Sequence, residues 1–145
     1  MSFKTIHKIK VVLANSEVAV QGATACIDRG AGASQGQAVT AQVATDLIPI
    51  GRFAEDMTGN GTDLIEIELF TPKKVHFFLN DGSAAVDATD ILGPCYFTDA
   101  NEVGVPADPS TYSLAGRVWI VETGRIGIET ADAIGLQGPQ GEPGV

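Results

Sequence analysis

Four glycines recur every third residue at the end of the chain: Gly135-Leu-Gln, Gly138-Pro-Gln, Gly141-Glu-Pro and Gly144-Val. That period is the steric requirement of a collagen triple helix, where only glycine fits at the axis of three wound polyproline-II chains. Pro139 falls at an X position and Pro143 at a Y position. The repeat constrains the fold because a triple helix needs three chains, so the expectation is a homotrimer. The same text also reads as a flexible Gly/Pro-rich tail. Three complete triplets cannot hold three chains together alone, since ordering them costs backbone entropy. A trimeric body has to gather their starting points. The last triplet is incomplete, which suggests a longer collagenous stretch.

The rest of the 145 residues suggests one domain with appendages: a basic N-terminal arm and first strand over 1–13, a β domain over 14–129, a linker over 130–134 and the collagen-like tail over 135–145. The net charge is −9, which argues against a nucleic-acid partner, because backbone recognition needs clustered Lys and Arg. Lys4, Lys8 and Lys10 stand in the first ten residues without an acid among them, leaving about −12 on the remainder (−9 minus +3). Such an arm reads either as an electrostatic foot on an acidic partner or as a solubilising end. No apolar run reaches membrane-spanning length, and the first ten residues carry charges where a secretory signal has an apolar segment. Cys26 and Cys95 each have apolar neighbours and read as buried thiols of a chain made in a reducing compartment, with a disulfide between them left open.

The body reads as all-β, a small sandwich or barrel. The clearest strand is 63–70, DLIEIELF, with Ile65, Ile67 and Leu69 on one face and Glu66 and Glu68 on the other. Further runs are 6–13, 23–28, 38–44, 47–53, 74–79, 94–98, 116–122 and 125–129, separated by Gly-, Asn- and Pro-rich turns. Pro49 implies an edge strand or a bulge, because it cannot donate to a ladder. The one helical candidate, 84–92, is worth a turn or two.

Chemistry is sparse. His7 and His76 lie on strand text and read as strand-face residues. No Cys or His pair has metal-ligand spacing, and no nucleophile elbow occurs. The glycine-rich stretch 30–36 lacks the Lys-Ser/Thr ending of a phosphate loop and reads as a mobile loop. The stretch 99–104 begins like a calcium loop but carries Val103 where an oxygen ligand belongs, so it reads as a turn. Asn60-Gly-Thr62 matches a glycosylation sequon, yet Asn-Gly is first a turn former. Glu55, Asp56 and Asp63 read as a solvated tip. The expectation is no enzyme, no cofactor and no metal.

From about Thr24 to Glu129 the text resembles the head decoration, or cement, proteins of tailed bacteriophages. The similar segments come in order: LIPIGRFAED (47–56), a Thr-Gly-Asn-Gly-Thr-Asp insert leading into IEIEL (65–69), Asp87-Ala-Thr-Asp90-Ile-Leu-Gly93 with Cys95-Tyr-Phe-Thr-Asp-Ala-Asn101, and LAGRVWIVETGRIGIE (114–129). The resemblance implies a β-rich domain that trimerises on the outer capsid lattice and braces the major capsid protein. It places the chain in the virion, made in the cytoplasm of a host bacterium. It supplies no catalytic residues. An arm reaching onto the shell would suit Lys4, Lys8 and Lys10, and glycines 135, 138, 141 and 144 would point the tail outward. The alternative is a trimeric fibre or host-surface binding module with the β body as its head.

Overall fold

The computed structural model describes residues 7–131. Lys4, the linker beyond Ala131 and the triplet glycines Gly135, Gly138, Gly141 and Gly144 lie outside them. Twelve strands follow in order: β1 (Lys8–Val12), β2 (Val18–Ala19), β3 (Thr24–Asp28), β4 (Ala38–Thr40), β5 (Leu47–Phe53), β6 (Met57–Thr58), β7 (Leu64–Leu69), β8 (His76–Asn80), β9 (Pro94–Asp99), β10 (Glu102–Gly104), β11 (Leu114–Glu122) and β12 (Arg125–Thr130). The helical candidate condenses to a 3-10 turn, Ala88–Asp90. Asp87 caps that turn through Thr89 while Asp90 reaches back to the Asp87 N–H, a reciprocal box that satisfies two backbone donors. The body is all-β, as expected.

The strands form two five-stranded units and a small ribbon. The first sheet has the order β1-β7-β5-β3-β4, and β2 pairs with β6. Just past β1, Leu13 bridges in parallel to Ala38 of β4, and the Ala14 N–H donates to the Ala38 carbonyl at 3.0 Å, so the sheet curls almost onto itself. It curls around Leu13, Ala25, Ala38, Phe53, Ile65 and Ile67, with Ile9 and Val11 packed alongside. The alternation of β7 explains this: Ile65 and Ile67 are fully buried, and Glu66 and Glu68 point the other way. The second unit is a closed barrel of order β10-β8-β12-β11-β9. Closure removes its sheet edges.

The barrel core of Phe78, Phe97, Val103, Val118, Ile126 and Ile128 is continuous with Cys26, Val39, Leu47 and Phe70 from the first half. Phe70, Phe78 and Phe97 stack edge to face, at centroid distances of 5.9 and 5.8 Å. Rings at that spacing add to the burial each contributes. Cys26 and Cys95 are both buried free thiols within this core.

Pro49 sits at a bulge. The register passes from Cys26 opposite Pro49 to Ala25 opposite Gly51, leaving Ile50 as the extra residue inside a strand flanked by β3 and β7. At Gly51 the two strands approach so closely that a Cβ would meet the Glu68 carbonyl oxygen. Only glycine fits there.

Candidate functional site

The chemically capable side chains are turned to structural work. His76 packs against the Phe70 ring at 4.7 Å, and its Nε2 accepts the Thr71 N–H at 3.1 Å. Burial holds its imidazole below the ordinary histidine range, offset in part by the Thr71 carbonyl 3.4 Å from Nε2, which favours the protonated ring. Burial pushes the Cys95 thiol up to about 12, and the Cys26 thiol is raised in the same way. Neither is a poised nucleophile. Among the described residues, no group of His, Cys, Asp and Glu is arranged to hold a metal ion. In the glycine-rich stretch, Asp28 accepts the Gly30 N–H and the Ser34 hydroxyl, closing 30–36 into a braced loop. The calcium-like stretch is a hairpin turn at Ala100-Asn101 between β9 and β10. Asn60 gathers the Thr62 and Asp63 N–H groups on its side-chain oxygen, as a turn former does. The tip acids are engaged: Glu55 accepts from Glu66 N–H, and Asp56 from Gln21 N–H.

Lys8 and Lys10 stand on β1, paired into the sheet opposite Glu68 and Glu66, rather than on a free arm. The Lys8 Nζ lies 3.5 Å from Glu66 and 4.0 Å from Glu68. The positive charge of Lys8 is therefore matched by the neighbouring strand.

Arg52 was not legible as special. Its guanidinium donates to the Phe77 carbonyl at 2.9 Å and to the Asn101 side chain at 3.1 Å, and lies 4.8 Å over the Phe78 ring. It thereby bridges β5 of the first sheet to β8 and the β9–β10 turn of the barrel. Burial lowers its pKa from the ordinary arginine value.

The feature best suited to a partner is the outer wall of the barrel. In the β11–β12 hairpin, Val118 opposes Ile128 but Ile120 opposes Gly127, so Trp119 is one extra residue on β11. This bulge turns both Trp119 and Ile120 outward, where they are 44% and 36% exposed. Val75, Ile120 and Phe77 close over Gly127: a Cβ there would lie 2.5 Å from Val75 Cγ1 and 3.1 Å from both other side chains. Leu79, 58% exposed, continues the stripe. The Arg125 guanidinium lies 3.9 Å over the Phe77 ring, held by Glu122 at 2.6 Å. The Trp119 indole N–H points to Glu129 at 3.3 Å, and both line a groove with Lys73, Lys74 and Val75. One strand further round, Leu92, Gly93, Pro94, Leu114, Gly116 and Arg117 line a second hollow. An exposed Trp, a half-buried Phe and an Arg over a contiguous apolar face match the composition of protein interfaces. Sequence reading missed this face, because the alternation of LAGRVWIVE does not reveal where the bulge falls.

Comparison of the chain with protein-family models, curated proteins and solved structures finds no match.

Proposed function

We propose that this chain is a structural virion protein: a homotrimeric decoration protein that binds the outside of a bacteriophage head, contacts the major capsid protein and stabilises the shell. The carrying observation is the broad apolar wall around Trp119, a surface suited to joining copies of this chain into the trimer. The ordered resemblance of residues 24–129 to head decoration proteins supports the same reading, and the glycine period supports three copies. Mechanistically, trimeric linkage turns the second and third shell contacts into intramolecular events, so modest single contacts add up to avidity. Binding the assembled shell, and not free capsid subunits, then stabilises that shell by mass action. The tail would stand outward, with a span of about 30 Å at polyproline-II rise.

Heads assembled with and without the protein provide the test. Heat or osmotic shock should release DNA from undecorated heads at a lower threshold. Equal thresholds, or binding to bare host cells in place of heads, would exclude the cement role; the second outcome would favour a host-binding module.

A further inference from the structure

Building on the trimeric reading above, we infer that the copies join head to tail, with the Trp119 face of one seated in the Leu92–Leu114 hollow of the next. Threefold contacts are heterologous, so two different patches on each copy must complement one another. The barrel carries two such patches, one strand apart. The Trp119 contact is carried by the β12–β11 seam, through Trp119, Ile120 and Glu129, with β8 at its far edge, and the hollow, of about 180 Å³, lies between β11 and β9.

Their placement fits a threefold wedge. Five strands closing a ring turn the wall by about 72° per strand. The outward directions of the two contact faces of a threefold wedge differ by about 60°. The axis lies between those faces, on the side of β11. That is also where the chain leaves the body: Thr130 is paired with Gly116 of β11, and the Ala131 N–H donates to the Ala115 carbonyl. Four residue steps separate Ala131 from Gly135, a reach of at most about 14 Å. If the glycine triplets of three chains wind together, the surface beside Ala131 must face the axis at close range.

Charge agrees with this pairing. Lys73, Lys74 and Glu129 border Trp119. Arg117 lines the hollow, and the 3-10 turn bearing Asp87 and Asp90 leads directly into Leu92. Arg117 already stands opposite Glu129 on its own copy, so the charges left to meet across the contact are the two lysines beside Trp119 and the two acids of the 3-10 turn.

Trp119 is the only tryptophan in the chain, so its fluorescence reports on this contact directly. In the full-length protein, raising the concentration through assembly should shift its emission to the blue and protect it from acrylamide. Trp119→Glu and Leu114→Glu should each weaken assembly about 30-fold or more, as loss of a central contact does, whereas Leu64→Glu on the first sheet should leave the trimer intact. Circular dichroism checks that each variant is folded, and the wild-type fluorescence needs no variant. Mixed together, the Trp119 and Leu114 variants retain one good face each and should form a one-to-one pair. A wild-type monomer at every concentration would overturn the trimer itself. Trimers that persist in both variants, with Trp119 of the Leu114→Glu protein still shielded from acrylamide, would overturn only this interface. Failure of the mixture to pair would exclude a head-to-tail contact. Loss of head binding from an intact Trp119→Glu trimer would assign the face to the shell.

Discussion

The two five-stranded units bury the same kinds of side chain but present opposite outer walls. On the first sheet, Lys8 and Lys10 stand opposite Glu68 and Glu66 across adjacent strands, so the outer face of the β1–β7 pair is mainly charged, with Leu64 exposed at its end. On the barrel, the corresponding exterior holds Trp119, Ile120, Phe77 and Leu79, with a single arginine laid over a ring. A cross-strand charge ladder is well solvated and gains little from being covered. An apolar wall gains about 25 cal/mol for each Å² removed from water. The contrast teaches that strand number and core composition leave open which half meets a partner; the outward-facing positions decide it.

Variants can break that comparison, beginning with the largest effect. Gly51→Ala in the first sheet forces a Cβ into the Glu68 carbonyl, and Gly116→Ala in the barrel does the same against Glu129. Backbone cannot yield as a side chain can, so each should cost about 3 kcal/mol or more. Urea unfolding followed by fluorescence and circular dichroism should show one shifted transition for either variant. Two separated transitions would show that the halves unfold independently.

Next comes the clasp between them. Arg52→Met keeps much of the apolar stem but removes the guanidinium donor from the Phe77 carbonyl and from Asn101, which keeps only the Thr24 hydroxyl, for a loss of about 1–3 kcal/mol. A neutral result in the same urea assay would mean that the shared Phe70–Phe78–Phe97 core alone joins the halves.

His76 sits at the same seam, and its effect is smaller. Its folded pKa is depressed, chiefly by burial, so the unfolded chain binds its proton more readily. Stability is therefore full above the unfolded value near 6.5 and falls as pH drops below it towards the folded value. Thermal melts between pH 7.5 and pH 5 should show this decline, and His76→Gln should flatten part of it; an unchanged slope would remove His76 as a contributor.

The smallest effect belongs to the charged wall. Lys8→Ala should cost at most about 0.5 kcal/mol, and the difference should shrink in high salt, as expected of an exposed pair. A larger, salt-independent loss would show that the ladder matters for more than solubility.

The strands were legible in the sequence wherever alternation ran for several residues, as in β7 or β12. The two-residue strands β2 and β6 carry too few positions for any period to register. Pro49 announced its bulge because a missing N–H must be accommodated. The bulge at Trp119 gave no such notice: both its residues are ordinary strand formers, and the extra residue shows only against the partner strand. Arg52 was hidden for a related reason, since its partners Phe77 and Asn101 are distant in sequence. The strand carrying Lys8 and Lys10 was legible, but its acidic partners were not, because Glu66 and Glu68 arrive more than fifty residues later.

The position of β12 has a mechanical consequence. It is held on both sides, by β11 from Gly116 to Glu122 and by β8 from His76 to Leu79, and the chain leaves from its end. A pull on the residues beyond Ala131 along the strand axis therefore loads both ladders in shear at once, where an edge strand would share the load with only one. The body is built to take tension through its last strand.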